Sequence, residues 1–404
     1  MTTSYAFTDP RAQTVWAPDM FEYALQNSRL TALMGATPDS IIHVNTDLTS
    51  RAGGTIIFEL KDPLSGAGVG DDGTTSAEAM TTGNMSLAVH ERAHSVKSAG
   101  MMSEQLTNIR KVDGFRRDAK YRLGVWIKDK VLEDDLITCL YGGYNENSSS
   151  SAIETINESY PASNRIYYGG QTITSTPALS TTYSTDAALT AAGSATDHYF
   201  GTLVIDAVRA LALEAIPRFT PGVFRQNSTK SEKDIRFDVT RPKIGEFFVI
   251  LASPHQIQKM RAEVGTNGWA NMTALCRAQG DNHPIFTGGN VMWNGCIVVE
   301  YDRIPKRTGA SGTLLAEGFL LNAGRTATSD PCANTRTVYR ALLLGAQAAC
   351  FGWAAYPQWF EDYNNCNKLE VKTDMIFGVK KTKFNAHGGT SAGSEYACYA
   401  IDTE

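Results

Sequence analysis

His90-Glu91-Arg92-Ala93-His94 spells H-E-x-x-H, the pattern in which two histidines hold zinc and the glutamate between them activates water. That chemistry depends on the backbone carrying it. On a helix the two rings lie one turn apart and point at one ion. On a strand, positions i and i+4 stand about 13 Å apart at ~3.3 Å per residue, out of reach of a single metal. The neighbouring residues favour the strand. Leu87 and Val89 precede the motif with alternating spacing, helix-start signals begin only at Ser103, and Lys97 stands where the longer zinc-peptidase pattern needs glycine. The other matches fail on their own chemistry. Gly68-Val69-Gly70-Asp71-Asp72-Gly73 reads G-x-G-x-x-G, but two aspartates block the approach of a pyrophosphate and no helix start follows. Gly389-Thr390-Ser391-Ala392-Gly393 reads G-x-S-x-G, yet the last histidine, His387, precedes the serine that it would have to serve. Asp134-Asp135 and Glu361-Asp362 are adjacent pairs that read as solvated faces. No catalytic residue, cofactor site or metal site is expected. A zinc peptidase using His90, Glu91 and His94 stays open as the enzymatic alternative.

Composition narrows the classes further. The chain has 404 residues, 42% of them hydrophobic, enough for a large core, and a formal net charge of −5 without a long basic block. The electrostatic footprint of a protein that grips nucleic acid is missing. No signal peptide and no apolar run of membrane-spanning length can be read, so no membrane partner is expected. The seven cysteines include no C-x-x-C pair. They read as reduced thiols packed as small hydrophobes, with disulfides formed after release from the cytoplasm as the other reading.

Residues 1–50, with Pro10, Pro18 and Pro38, read as an extended arm with one short apolar helix from Met20 to Met34. Thr55 to Leu60 is a β-branched strand. A Gly/Asp/Thr-rich stretch follows, then a second run from Leu87 to Lys97, together describing a protruding hairpin. From Ser103 to Leu140 apolar residues recur three or four apart without proline, giving a long amphipathic helix in which Gly114 and Gly124 mark a bend. Residues 142–197 are Ser/Thr/Gly/Asn-rich and read as an irregular surface segment with short strands such as Arg165 to Tyr168. A helical stripe from Phe200 to Ala215, a buried strand Phe247 to Leu251, a helix starting at Ser253-Pro254 and a hairpin turning at Asn294-Gly295 make an α+β stretch. The last hundred residues are strand-rich.

This order of parts resembles the major capsid proteins of tailed bacteriophages, with the fold first described for phage Hong Kong ninety-seven, and more narrowly the N-four-like family. The resemblance is carried by "TIIFELKDPLSGAGVGDDGT", "MSLAVHERAHSVKSAGMMSEQ", "YRLGVWIKDKVLEDDLITCLYGG", "NHPIFTGGNVMWNGCIVV", "YRALLLGAQAACFGWA" and "WFEDYNNCNKLEVKTDMIFGVKKTKFN". It implies an α+β capsid fold with an N-terminal arm at 1–50 and an extended loop at 51–100. A peripheral domain would follow at 101–197 with its spine helix over 103–140, then an axial domain at 198–345, and C-terminal strands at 346–404 that complete the peripheral domain. It implies no enzymatic activity but a self-assembling shell of hexamers and pentamers in a virion, made in the bacterial cytoplasm, enclosing double-stranded DNA without sequence-specific binding. Scaffolding, portal and decoration proteins are the implied partners, with the scaffold as a separate chain or a removed prosegment. Lys61, Leu64, Asp71, Asp72, Met80 and Arg92 are the implied assembly residues of the extended loop. Lys61 is also the loop-side lysine that could join a lysine–asparagine crosslink of the kind some relatives form, and no partner asparagine is identified. An encapsulin-type nanocompartment shell remains the structural alternative.

Overall fold

The computed structural model describes residues 10–61, 82–98, 112–142, 144–146, 157–158, 165–169, 173–175, 178–179, 188–189, 199–215, 218–225, 243–263, 291–308, 313–315, 325–327, 337–364, 368–384 and 394–404. The elements that matter here are four helices and sixteen strands. After α1 (Pro10–Asn27) come β1 (Met34–Gly35), β2 (Ile42–Asn45), β3 (Thr55–Lys61), β4 (Thr82–Ala88) and β5 (His90–Lys97). The long helix α2 (112–141) is α-helical over Val112–Trp126, has i→i+5 bonding over Ile127–Asp134 and is α-helical again over Asp135–Tyr141. Next come β6 (Ile166–Tyr168), α3 (Thr202–Glu214), β7 (Gly222–Arg225), β8 (Lys243–Ala252) and α4 (Pro254–Arg261). The C-terminal part holds β9 (Val291–Trp293), β10 (Cys296–Glu300), β11 (Lys306–Thr308), β12 (Thr313–Leu315), β13 (Thr337–Leu344), β14 (Ala349–Asn364), β15 (Lys368–Lys381) and β16 (Cys398–Thr403).

Two sheets organise the chain. The first runs β1-β2-β14-β15-β5, with β14 and β15 as a long antiparallel ribbon. Its inner face, with Leu369, Val371, Met375 and Phe377 at alternate positions, is buried, as period-two patterning requires. The second sheet runs β9-β10-β8-β13-β11-β12, with β7 paired to β8 and β16 to β13 and β6. Its central strands β8 and β13 read as continuous apolar runs because both faces are covered: Phe248 to Ala252 and Ala341 to Leu344 are all buried.

Local signals set several boundaries. Ser253 caps α4 in a capping box with Gln256, with Pro254 in its first turn. Asn294 and Gly295 both have positive φ (43° and 72°) and close the β9–β10 hairpin, as a two-residue turn that follows the strand twist demands.

Tertiary packing departs from the sequence reading in several places. In the described part of 1–50 the helix is Pro10–Asn27 instead of Met20 to Met34. Ala17, Met20 and Ala24 are buried on one side of α1, which packs on α2 and β14 even though Pro18 lies within it. Gly124 lies within the α-helical part of α2. A Cβ there would lie 3.0 Å from Tyr23 Cδ1 and 3.3 Å from the Met20 carbonyl, so this glycine lets α1 and α2 approach closely. The run Leu87 to Lys97 is not one strand returning along Thr55 to Leu60. It divides at Val89: β4 pairs with β3, and β5 leaves to pair with β15. Finally, Arg165 to Tyr168 is buried, with β6 parallel to β16. The final strand therefore belongs to the second sheet, while β14 and β15 belong to the first.

Candidate assembly interface

The H-E-x-x-H residues lie on β5, where His90 is opposite Phe377 and His94 opposite Thr373. The backbone is extended, so the two histidines are separated along a strand and cannot share an ion. Each has its own surroundings. The His94 ring stacks on Trp126 of α2 at 4.6 Å between centroids, and burial holds its pKa below the ordinary imidazole value. Glu91 is exposed, on the alternate side of the strand. Arg92 reaches across to ion-pair with Asp135 of α2 and lies 5.8 Å above the Phe377 ring. Among the described residues no group of three His, Cys, Asp or Glu could hold a metal ion. Cys139, Cys296, Cys350 and Cys398 are buried. Burial pushes the Cys296 and Cys350 thiols up to about 12, which keeps them protonated and unreactive.

The β3–β4 hairpin is a two-faced finger. Ile56, Phe58, Met85 and Leu87 are buried, while Thr55, Ile57, Glu59, Asn84 and Ser86 face outward. The inner face rests on the subunit's own first sheet at two glycines. A Cβ on Gly352 would lie 2.5 Å from Ile56 Cδ1, and one on Gly378 would lie 2.3 Å from the Ala88 carbonyl oxygen. His43 of β2 meets Phe58 edge-on at 5.1 Å. The finger root is thus anchored in its own subunit. The outer face is different in kind: Ile57 is 64% exposed in the middle of a strand. Further exposed apolar side chains are Tyr121 on α2, Leu203 on α3, and Tyr356 and Phe360 on β14.

Rigidity behind these surfaces comes from ion pairs that the sequence did not announce. Arg340 and Asp402 are fully buried and joined by two bonds of 2.6 Å, with Arg340 Nη1 also donating to the Tyr141 carbonyl. Arg116 of α2 forks onto Glu361 of β14, and Lys381 pairs with Glu395 at 3.0 Å. Asp134, Asp135 and Glu361, read from sequence as solvated, are buried. Adjacent acids look solvated in one dimension because Arg303, Arg92 and Arg116, which pair with Asp134, Asp135 and Glu361, come from distant segments that no local pattern records.

Of the six assembly residues suggested by sequence, Lys61 ends β3 opposite Thr82. Leu64, Asp71, Asp72 and Met80 lie outside the described residues, as do both glycine-rich motifs. Arg92 lies on β5 with its guanidinium engaged with Asp135 of its own subunit. The finger's outward residue Ile57 was missed, although the alternation of Thr55 to Leu60 contained it. Ile56 and Phe58 point inward, so Ile57 must point out.

Comparison with known proteins agrees with this architecture. A family model described as phage capsid protein matches residues 3–404. No curated protein matches the chain. Among solved structures, the capsid of Ralstonia phage GP4 superposes with a TM-score of 0.64 at 21% identity, covering 100% of this chain and 98% of that one. The capsid of cyanophage Pam1 gives 0.59 at 18% identity over 94% and 92% of the two chains. That of Helicobacter pylori bacteriophage KHP30 gives 0.58 at 13% identity over 94% and 92%.

Proposed function

The chain belongs to the phage capsid protein family, and from that premise we propose how its parts build a shell. It is a structural, non-enzymatic major capsid protein that forms the phage head as a homo-oligomer, with the α+β capsid fold. The observation that supports the rest is the finger: one face seated on its own sheet, the other exposing Ile57 and leading through Lys61 into a glycine-rich segment.

In this reading residues 51–100 form an extended loop laid over the adjacent subunit, with Lys61, Leu64, Asp71, Asp72 and Met80 at the contact. The anchored root fixes the finger's direction, so the distal part meets its partner without a large ordering penalty. Heterologous contacts of this kind close into rings when the rotation allows. The rings are hexamers and pentamers of an icosahedral head. Residues 1–50 form an N-terminal arm rooted on its own subunit by α1, 101–197 and 346–404 form the peripheral domain, with the last strand crossing to the second sheet, and 198–345 form the axial domain around the ring centres. Shell growth is guided by a scaffolding protein, the vertices and surface engage portal and decoration proteins, and the product is a head assembled in the host cytoplasm around double-stranded DNA. A net charge of −5 is compatible with enclosing a polyanion without adhering to it.

The test removes the distal finger alone. Deleting residues 64–80 and closing β3 to β4 with a two-residue turn leaves the seated strands intact. The subunit is expected to stay folded and soluble by circular dichroism while electron microscopy shows no closed shells. Normal shells from this variant would overturn the proposal.

A further inference from the structure

The long helix changes register where it meets the second sheet. Over Ile127–Asp134 its bonding is i→i+5, and the Asp135 N–H still donates to the Lys130 carbonyl. Extended stretches of this geometry are rare, since the wider turn packs less well than the α form and needs a specific reason to persist. The charges around it supply one. Arg303, from the Tyr301–Ile304 segment after β10, lies within 2.7 Å of Asp129 Oδ1, 3.0 Å of Asp134 Oδ1 and 3.3 Å of Glu133 Oε2, and it donates to the Asp129 carbonyl at 3.2 Å. In an α-helix, residues five apart are rotated by about 140°, five steps of about 100°. Asp129 and Asp134 would then face different directions, and one guanidinium could not reach both. With i→i+5 bonding each residue turns through a smaller angle than in the α form, so residues five apart come nearer to one face, and a single planar fork spans the pair.

The rest of the shell around Arg303 reinforces this register. Lys130 donates to Asp134 Oδ2 at 2.9 Å, Lys128 lies 3.0 Å from Asp129 Oδ1, and Tyr301 Oη and the Arg29 N–H reach Glu133. On either side the helix is pinned: Trp126 by His94, Asp135 by Arg92, and the Tyr141 carbonyl by Arg340. The widened segment therefore lies between two anchored halves, both tied to β5 of the first sheet and the C-terminal one also to Arg340 of the second.

We propose that Arg303 is a register latch: by gathering Asp129, Glu133 and Asp134 it holds the helix in its wide form and ties the second sheet's loop to the phase of the helix end. The latch is internal to one subunit and stands whether or not the finger overlies a neighbour. Releasing it lets 127–134 rewind to the α form, which turns Asp135 and Tyr141 away from Arg92 and Arg340. Helix register shifts of this kind are a recognised route for switching packed elements between two states.

The decisive experiment is a high-resolution structure of Arg303→Met, which keeps the apolar stem and removes the fork. The expected result is i→i+4 bonding across 127–134 with Asp134 turned away from Asp129. Retention of i→i+5 bonding would overturn the latch. Should Arg303→Met fail to fold, Asp129→Asn is the milder variant, read by amide hydrogen exchange on the unassembled subunit. Amides 131–135 are expected to exchange roughly tenfold faster or more, with those of 115–126 unchanged. Equal exchange in both segments, or none changed, would count against it.

Discussion

Single residues decide where this fold is strong. The Arg340–Asp402 pair is wholly buried, with the guanidinium also bonded to the Tyr141 carbonyl and 4.6 Å from the Tyr141 ring. Removing one partner strands the other charge in a medium that cannot solvate it, which costs about 3–5 kcal/mol. Arg340→Leu is expected to lower the urea midpoint of the unassembled subunit accordingly, and adding Asp402→Leu to recover part of the loss. A double variant no better than the single one would contradict that account. His43 and His94 act in the opposite sense. Burial lowers the pKa of each below 6.5, so between the folded value and about 6.5 the unfolded chain binds more protons. Their contribution is complete above about 6.5 and is lost as pH falls through the folded values. His94→Phe keeps a ring against Trp126 and removes one titrating group. Thermal unfolding of this variant should depend less steeply on pH between 7 and 5 than that of the parent, and an unchanged slope would reject the assignment.

At the scale of elements, the finger is the unit with the sharpest geometry. Its root sits where β14 and β15 each present a glycine, and the two glycines differ in what they face. A methyl on Gly378 would meet a main-chain carbonyl at 2.3 Å, which cannot move without shifting β4. One on Gly352 would meet the tip of the Ile56 side chain, which can change rotamer. Gly378→Ala should therefore unseat the hairpin, seen as new protease cuts within 82–98 and a lower Tm, while Gly352→Ala should be milder. The reverse ranking would mean that the hairpin is not seated as described. The finger strands were legible in the sequence as alternating runs, and the helix as a three-to-four repeat. Their pairing was not, because period two fixes a face without naming a partner strand.

For the whole molecule, membership of the capsid family turns exposed apolar residues from oddities into expected contacts. Ile57 is outward on a strand whose inward residues already hold the finger down. Ile57→Asp should leave subunit stability within roughly ±0.5 kcal/mol, as for surface changes away from buried features, yet reduce closed shells measured by sedimentation. A large loss of subunit stability, or normal shell yield, would place Ile57 outside the contact.

The sequence alone determined the order of parts, the amphipathic helix, the Asn294-Gly295 turn, the Ser253 cap and the strand character of the H-E-x-x-H segment, because each rests on local spacing and short-range sterics. Only the tertiary structure decided that residues before 50 pack into the core, that β5 joins β15, that the last strand crosses to the second sheet and that Asp134, Asp135 and Glu361 are buried in ion pairs. Each of those outcomes turns on a partner more than thirty residues away, and the free energy that selects such a partner is shared between two segments and written in neither one.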